Sequence, residues 1–253
     1  MTLPMFDLTG KVAVVTGGYT GIGRSIADGL AEAGANIAIC ARQFDRCQLA
    51  CSEIESLGVE ALPVKCDVSN KEDVEAMIET TVREFGKIDI LVNNAGITGS
   101  AKAVTEMGDE EWNETLDINL RGIFLCSRAA AREMIKRNSG KIINVTSVAS
   151  FRPVPHSGDY CASKGGALLL SQVMALELIR HNINVNVICP GFFATHLNPT
   201  LLEKMRQAGT KIIPIGRLGE VDDIKGLAIL LASPASDYMV GSAIIIDGGT
   251  FLK

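Results

Sequence analysis

Apolar runs alternate with amphipathic segments along the whole chain. Seven short runs rich in Val, Ile and Ala are typical of buried strands: Lys11–Thr16, Asn36–Ala41, Glu60–Lys65, Ile88–Val92, Gly140–Thr146, Asn182–Cys189 and Ala243–Ile246. Apolar residues recur at helical spacing in six segments between them: Gly21–Ala33, Phe44–Leu57, Lys71–Phe85, Glu110–Arg137, Gly158–Arg180 and Glu220–Leu231. Strands that are apolar on both faces must be covered on both faces. We therefore predict an α/β fold, a doubly wound, Rossmann-like parallel sheet of about seven strands with helices on both faces.

No repeat, low-complexity tract or linker divides the chain, so we expect residues 1–253 to form a single domain. One segment departs from the alternation of strands and helices. Residues 192–214 have the composition of a loop that contains a short helix around residues 201–207. A loop of this length in a compact domain is usually functional, and we predict that it is a lid over a substrate.

Charge and composition exclude several classes of protein. The 24 basic residues are outnumbered by 29 acidic ones, the net charge is −5, and the basic residues are scattered. Nothing here would attract a polyanion, so nucleic acid is not an expected partner. The first ten residues lack the basic start of a signal peptide, and no apolar stretch approaches the roughly 20 residues that span a bilayer. We expect no membrane partner and a cytoplasmic location.

The cysteines and histidines do not form a recognisable ligand pattern. There are seven cysteines, an odd number, without a Cys-x-x-Cys pair, and the three histidines lie far apart. Such cysteines are typical of small buried residues in a reducing compartment. We predict no metal site.

A glycine-rich loop joins the first predicted strand to the first predicted helix. Residues 16–23 read Thr-Gly-Gly-Tyr-Thr-Gly-Ile-Gly. Glycines allow a tight turn and close approach of a pyrophosphate, and the following helix start offers free N–H groups. An ordinary strand-to-helix turn would also use glycine, but the position after the first buried strand favours a dinucleotide. The cofactor-binding residues predicted in this loop are Gly17, Thr20, Gly21, Ile22 and Gly23.

The ends of the next two strands indicate which dinucleotide binds. The second strand ends in Cys40-Ala41-Arg42, where NAD-binding proteins carry an acidic residue for the ribose hydroxyls. Arg42 could pair with a 2′-phosphate, so we predict NADP, with NAD as the alternative. Asp67 and Val68 follow the third strand and are expected to bind the adenine. Asp67 could instead cap the next helix.

Tyr160 and Lys164 are the candidate proton-transfer pair. They stand four residues apart at the start of a predicted helix and therefore share one face. A free phenol has a pKa near ~10, and a neighbouring ammonium together with a nicotinium charge would lower it. Ser147 ends the fifth predicted strand, where it could hydrogen-bond a substrate oxygen. A surface lysine and a core tyrosine are the alternative interpretation of the same spacing.

These motifs together resemble the short-chain dehydrogenase/reductase family over essentially the whole chain. The glycine loop matches the family's glycine motif, and Asn119, Ser147, Tyr160 and Lys164 match its catalytic tetrad. Two further segments match cofactor-binding motifs: Asn94, Ala95 and Gly96 after the fourth strand, and Pro190, Gly191 and Thr195 after the sixth. The resemblance implies a nicotinamide-dependent oxidoreductase that interconverts a carbonyl compound and a secondary alcohol.

The resemblance also implies a role for each member of the tetrad. Tyr160 would be the acid/base, and Lys164 would bind the nicotinamide ribose and lower the pKa of Tyr160. Ser147 would orient the carbonyl, and Asn119 would hold a water that links Lys164 to solvent. Relatives of this length are usually homotetramers built through their two long helices, here residues 110–137 and 158–180.

The substrate is the least determined part of the prediction. We expect residues 97–104, 148–158 and the predicted lid to form the pocket. Arg152 and His156 could face an anionic group or lie in solvent, and Phe151, Phe192 and Phe193 could line the pocket or belong to the core.

Two enzyme functions and one non-enzymatic function fit these features. The first is a dehydrogenase of a small polyol, sugar acid or other hydroxy compound. The second is a 3-oxoacyl (β-ketoacyl) thioester reductase, favoured by Arg132 but not by Leu176, where a second basic residue would be expected, nor by Thr20 in the glycine loop. The third is a non-catalytic nucleotide-binding redox sensor, which the intact tetrad disfavours.

Overall fold

A seven-stranded sheet organises the computed structural model, which describes residues 3–195, 203 and 212–252. The strands are β1 Val12–Thr16, β2 Asn36–Ala41, β3 Ala61–Lys65, β4 Ile90–Asn93, β5 Gly140–Val145, β6 Ile183–Pro190 and β7 Ala243–Ile246. Their order across the sheet is β3-β2-β1-β4-β5-β6-β7, and every neighbouring pair is parallel. The chain reverses direction across the sheet between β1 and β4, so loops diverge there and leave a crevice at the carboxyl ends of the strands.

Helices connect the successive parallel strands. Within the described residues the α-helices are α1 Gly21–Glu32, α2 Phe44–Glu55, α3 Lys71–Phe85, α4 Asp109–Leu116, α5 Gly122–Arg137, α6 Gly158–Leu178 and α7 Lys225–Ala232. Short 3₁₀ turns occupy Pro4–Phe6, Val148–Ser150, Ile179–His181, Val221–Ile224, Pro234–Ser236 and Thr250–Leu252.

The helices cover both faces of the sheet, as the apolar pattern predicts. On one face α3, α5 and α6 contribute buried side chains such as Met77, Met134 and Met174. On the other, α1, α2 and α7 contribute Leu30, Ile54 and Leu231 among others. The predicted fold class is therefore confirmed, and the sequence boundaries of the strands agree with the structure to within two residues.

One predicted helix is interrupted at Asn119. The segment predicted as a single helix over residues 110–137 consists of α4, a π-helical turn at Asp117–Arg121, and α5. In that turn the N–H of Gly122 donates to the carbonyl of Asp117, one residue further back than in an α-helix. Asn119 lies inside this widened turn. π-helical turns within α-helices are often found at functional sites.

Helix α6 and its continuation, Gly158–His181, form the one segment of the described residues long and apolar enough to cross a membrane by length and composition. This differs from the expectation that no stretch of the chain has that length. The helix packs on β6 and buries Ala167, Leu168 and Met174, so its apolar residues are accounted for partly by the core.

All seven cysteines are free. Six of them are buried, and Cys161 alone is partly exposed: the buried ones are Cys40, Cys47, Cys51, Cys66, Cys126 and Cys189. Burial raises the pKa of the Cys47 thiol to about 11 and that of Cys51 to about 12. Their chemistry is therefore that of small apolar core residues.

Candidate active site

The loop between β1 and α1 has the backbone that a phosphate cradle needs. Gly17 and Gly21 adopt left-handed conformations, with φ of 66° and 57°. A Cβ atom at Gly23 would collide with the side chain of Asn94 and the carbonyl of Gly17. Thr20 precedes α1 in an extended conformation and makes no side-chain capping bond. The first N–H groups of α1 therefore remain available to an anion at this end of the helix.

Thr16 fixes the glycine loop to the end of β4. Its hydroxyl accepts hydrogen bonds from the N–H groups of Asn94, at 2.9 Å, and Ala95, at 3.0 Å. The Asn94 amide in turn donates to the carbonyl of Thr16 at 3.0 Å. These contacts hold the two strands together at the point where the sheet order reverses. Asn94 therefore supports the shape of the crevice from beneath the glycine loop.

The adenosine end of the crevice carries Arg42 and Asp67. Arg42 is exposed just after β2. Asp67 accepts hydrogen bonds from the N–H and hydroxyl of Ser69 at 3.0 and 2.7 Å. Burial would raise the pKa of Asp67, but the bonds from Ser69 and the charge of Arg42 lower it below its ordinary value. Asn70, rather than Asp67, caps α3, accepting from the N–H of Asp73 at 2.9 Å.

Val68 and Arg46, in the same region, differ from the expectations drawn from the sequence. Val68 is buried, and its side chain packs close to Gly122 of α5, so only its backbone can face a nucleotide. Arg46, absent from the sequence predictions, places its guanidinium 5.8 Å from the ring of Tyr19 in the glycine loop. Its position shortly after Arg42, in the first turn of α2, was the available signal, because it places a second basic residue just beyond β2.

Lys164 is buried at the carboxyl edge of the sheet, with 5% of its surface exposed. Its ammonium donates to the carbonyl of Val145 at 3.1 Å and lies 5.7 Å from the centre of the Tyr160 ring. A Cβ atom at Gly96 would lie 3.4 Å from the same ammonium. Burial lowers the pKa of Lys164 to about 8. A charged lysine at neutral pH is therefore held here without an ion pair among the described residues.

Tyr160 and Ser147 meet beside Lys164. Burial raises the pKa of Tyr160 above its ordinary value, and a hydrogen bond with Ser147 partly opposes that rise. Ser147 follows β5 in an extended conformation, and its hydroxyl also accepts from the N–H of Ala149 at 3.1 Å. The sequence led us to expect a lowered phenol pKa. In the protein without cofactor desolvation dominates, so the phenol is protonated at neutral pH.

Asn119 is fully buried, and its side chain is engaged on both sides. Its amide oxygen accepts from the N–H of Ile97 at 2.8 Å, and its amide nitrogen donates to the Ile97 carbonyl at 2.9 Å. The nitrogen also donates to the hydroxyl of Ser163 at 3.1 Å. The side chain therefore anchors the loop after β4. Both N–H groups of the amide are used in this way, and one lone pair of its oxygen remains free to accept a further hydrogen bond.

Comparison with known proteins identifies the family. The family model described as short chain dehydrogenase matches residues 11–206. The chain is 37% identical over 243 residues to the 3-oxoacyl-(acyl-carrier-protein) reductase of Staphylococcus epidermidis, covering 96% of this chain and 99% of the relative. It is 37% identical over 249 residues to the 5-keto-D-gluconate 5-reductase of Escherichia coli, covering 97% of each. The chain belongs to the short-chain dehydrogenase family.

Solved structures of short-chain dehydrogenases share its fold over almost the entire length. One from Mycobacterium marinum is 41% identical, with a TM-score of 0.92 and 97% of each chain covered. A gluconate 5-dehydrogenase from Burkholderia cenocepacia, in complex with NADP and tartrate, is 37% identical, with a TM-score of 0.93 and 98% of each chain covered. The chain is thus an oxidoreductase of the family, acting on CH–OH and carbonyl groups.

The segment after β6 lies close to the glycine loop between β1 and α1 in this short-chain dehydrogenase. Pro190 ends β6, and a Cβ atom at Gly191 would lie 2.5 Å from the Cβ of Asp247. The side chain of Thr195 faces Gly21, with its methyl group 3.6 Å from where a Cβ would stand. Most of the predicted lid, including the helix around 201–207 apart from position 203, lies outside the described residues.

Arg152 lies against the last turn of the described chain. Its guanidinium donates to the carbonyls of Thr250 and Phe251 at 3.3 and 3.2 Å and stands 5.7 Å from the Phe251 ring. Phe151 packs edge-on against the same ring at 5.8 Å. These contacts give Arg152 a role in holding the C-terminal turn, which disfavours the hypothesis that it faces an anionic substrate. His156 is exposed, with φ of 60°.

No group of three or more His, Cys, Asp and Glu side chains able to hold a metal ion occurs within residues 3–195 and 212–252. The expected absence of a metal site remains a prediction.

Proposed function

We propose that this protein is an NADP(H)-preferring oxidoreductase that interconverts the ketone and secondary alcohol forms of a small polyol, sugar acid or other hydroxy compound. One observation carries the proposal. Tyr160, Ser147 and Lys164 meet at the carboxyl edge of the sheet, and Lys164 lies against Gly96 at the end of β4, close to the glycine loop. A proton donor, an orienting hydroxyl and a cation thus converge beside a cradle suited to a dinucleotide.

A nicotinamide bound in this crevice would supply a hydride to a carbonyl carbon or accept one from an alcohol carbon. During reduction the Tyr160 hydroxyl donates a proton to the carbonyl oxygen. Its raised pKa keeps the hydroxyl protonated for this step. During oxidation the Tyr160 phenolate takes that proton. Ser147 hydrogen-bonds the same oxygen, and Lys164 holds positive charge near the phenol, which stabilises the phenolate when it forms.

The preference for NADP rests on basic side chains at the adenosine end. Arg42 takes the place of an acidic residue after β2, and Arg46 adds a second cation next to the glycine loop. A 2′-phosphate would form hydrogen-bonded ion pairs with these groups, whereas the 2′-hydroxyl of NAD carries no charge to pair with them. The Burkholderia cenocepacia relative in complex with NADP gives independent support. The remaining cofactor-binding residues proposed are Gly17, Thr20, Gly21, Ile22, Gly23, Asp67, Val68, Asn94, Ala95, Gly96, Pro190, Gly191 and Thr195.

The relatives support both of the enzyme functions expected from the sequence. The 5-keto-D-gluconate reductase and gluconate 5-dehydrogenase favour a small sugar acid, and the 3-oxoacyl reductase favours a thioester. Arg132 lies in a groove between α3 and α5 that is also lined by Glu75, Glu79 and Glu133. Leu176 is 77% exposed where a second basic residue would help to hold an acidic carrier. We therefore favour the small hydroxy compound, with a 3-oxoacyl thioester as the second candidate.

We further propose a homotetramer in the cytoplasm, with residues 1–253 as one domain and residues 192–214 as its lid. Leu169, Val173 and Leu176 are exposed along one face of α6, at the spacing of a helical stripe. A second copy would cover this stripe, since large exposed apolar faces usually mark interfaces. Sedimentation velocity would test the assembly, and Leu176→Glu should shift it toward smaller species.

The function is tested by titrating the protein with NADPH and NADH and then offering carbonyl compounds with the preferred cofactor. We expect NADPH to bind at least tenfold more tightly, and 5-ketogluconate and similar keto acids to be reduced faster than acetoacetyl thioesters. Tighter binding of NADH would overturn the role of Arg42. Binding of NADPH without turnover of any carbonyl or alcohol would instead support the redox-sensor hypothesis.

A further inference from the structure

Asp159, the residue before Tyr160, is a fully buried carboxylate without an ion pair among the described residues. One of its oxygens accepts the N–H of Tyr160 at 2.8 Å. The other accepts the N–H of Ser100 at 2.8 Å and the hydroxyl of Thr115 at 3.0 Å. Burying a carboxylate is costly unless donors surround it, so this arrangement requires an explanation.

The donors to Asp159 come from three different parts of the fold. Tyr160 belongs to the first turn of α6, Thr115 to α4, and Ser100 to the loop that follows β4. Gly99 wraps this loop around the carboxylate: it has φ of 80°, and a Cβ atom there would lie 2.7 Å from both oxygens. Asp159 therefore joins α6, α4 and the loop at a single point.

The loop held in this way begins at Ile97, which Asn119 grips through two hydrogen bonds of 2.8 and 2.9 Å. Asp159 is its second anchor, three residues further along. Beyond that anchor the loop lies against α6 again, since a Cβ atom at Gly158 would come within 3.2 Å of the Val104 side chain. Residues 97–104 thus rest on the turn of helix that carries Tyr160.

We infer that Asp159 is a positioning residue, which fixes the pocket loop at residues 97–104 to the same turn of helix as the Tyr160 phenol. The pocket loop and the Tyr160 hydroxyl are then held at a constant distance from each other. This inference rests on the proposed function for its kinetic consequences, and on the hydrogen-bond geometry for its structural ones. A carboxylate at the start of a helix also interacts favourably with the helix dipole. If Asp159 acted only in this way, its replacement would lower stability and leave substrate binding unchanged.

Replacing the carboxylate of Asp159 by an amide must remove at least one of the hydrogen bonds that it accepts. Donors approach both oxygens of Asp159, whereas asparagine has a single acceptor oxygen. In Asp159→Asn the amide NH₂ must face the N–H of either Tyr160 or Ser100. Thr115→Val removes only one donor and leaves both backbone contacts in place. Asp89→Asn is a matched control, because Asp89 is another buried aspartate that accepts a backbone N–H, that of Val12, at 2.9 Å.

The experiment measures amide hydrogen exchange at residues 97–104, the dissociation constant of NADPH, and kcat and KM for the preferred carbonyl. We expect Asp159→Asn to speed exchange in the loop and to raise KM, each at least tenfold, with NADPH binding within twofold of the original. Thr115→Val should change exchange and KM about threefold in the same direction. Asp89→Asn should leave the loop exchange and KM within twofold.

Unchanged loop exchange in Asp159→Asn would overturn the inference, and so would equal changes in Asp89→Asn. Loss of NADPH affinity in parallel with KM would also overturn it, because it would indicate a general disturbance of the site. If Asp159→Asn does not fold, an unchanged loop in Thr115→Val is sufficient to reject it. If the original protein reduces no carbonyl, the proposed function fails, and hydrogen exchange still decides the role of Asp159.

Discussion

The amino edge of the sheet, where the strands begin, and the carboxyl edge, where they end, both bury charged side chains. Ion pairs compensate the charge at the amino edge, whereas uncharged hydrogen-bonding groups do so at the carboxyl edge. At the amino edge Asp89 lies 2.9 Å from the ammonium of Lys87 and 3.2 Å from the guanidinium of Arg137. At the carboxyl edge Lys164 and Asp159 are similarly buried, yet each is held by uncharged donors or acceptors. The ion pairs at the amino edge neutralise Asp89 in place. The carboxyl edge holds its two charges without ion pairs among the described residues.

Only the amino edge offsets the cost of burying its charge with ion pairs among the described residues. A buried charge without a counter-ion disfavours folding. Burial shifts its pKa in the direction that favours the neutral form, unless hydrogen bonds to the charged form outweigh burial, as they do at Asp159. Lys164 shows this shift, whereas the compensated charge at the amino edge contributes to holding β1, β4 and α5 together. Perturbed groups of the first kind mark candidate active sites. Substitutions at the two edges should therefore separate activity from stability.

The largest effect is expected for Tyr160→Phe. Removing the hydroxyl takes away the proton donor and should lower kcat by about 10³-fold. The ring remains, so the dissociation constant of NADPH should stay within twofold. Steady-state assays that follow nicotinamide absorbance would measure the loss. Tyr238→Phe, at a fully exposed tyrosine, is the control and should retain full activity. Turnover by Tyr160→Phe within tenfold of the original would assign the proton to another group.

Lys164→Met should separate activity from stability. We expect kcat/KM to fall about 10²-fold because the phenolate loses its neighbouring charge. The pKa of Lys164 is about 8 in the folded protein against 10.5 for an ordinary lysine, which implies a folding cost of ~3 kcal/mol at neutral pH. The cofactor-free variant should therefore be more stable by up to that amount. Chemical denaturation measures it, with Lys136→Met, at an exposed lysine, as control.

The stability gain of Lys164→Met should depend on pH in a defined direction. Below about pH 8 the lysine is charged in both the folded and unfolded protein, so its full cost is present. Between about 8 and 10.5 the folded protein releases the proton while the unfolded chain keeps it, and the cost disappears as pH rises. A difference between variant and original that stays constant across that window would contradict the assignment.

Asp89→Asn should have the opposite outcome, a loss of stability with activity unchanged. It removes two ion pairs and weakens the hydrogen bond from Val12, for an expected loss of about 2 kcal/mol in the free energy of unfolding. The site lies at the far edge of the sheet, so kcat and KM should change less than twofold. Denaturant midpoints and kinetics measured on one preparation would test both. A large fall in kcat would contradict the expectation that the amino edge affects stability and not activity.

The smallest effect is expected at the adenosine end, for Arg42→Ala. Loss of one charge-assisted contact with the 2′-phosphate should raise the dissociation constant of NADPH about tenfold and leave that of NADH unchanged. Fluorescence titration with each cofactor measures the change. Arg83→Ala, at an exposed arginine whose partner is Glu84, is the control. Equal changes for both cofactors would show that Arg42 does not discriminate between them.

The strands and most helices could be predicted because their apolar positions follow the period of the element they form. The interruption at Asn119 could not, since residues 110–137 keep a helical pattern through the π-helical turn. The glycine loop and the Tyr160–Lys164 pair were predictable from local spacing. The direction of the Tyr160 pKa shift was not, because it depends on burial by parts of the chain distant in sequence.

The same limit applies to side chains whose roles depend on their neighbours in space. Arg152 has the character of a substrate-binding residue in the sequence, and only the fold shows its contacts with the C-terminal turn. Asp159 carries no sequence signal of its own, since an aspartate near a helix start usually serves as a cap. Its junction with Ser100 and Thr115 appears only when α4, α6 and the loop after β4 are brought together.

The distribution of the cysteines gives the protein a natural handle for labelling. Six thiols are shielded by the core, while Cys161 is partly exposed immediately after Tyr160. A maleimide dye at near-neutral pH should therefore attach first at that position, without engineered mutations. Protection of this thiol by a bound nucleotide would then report occupancy of the crevice by mass spectrometry, even before a substrate is known.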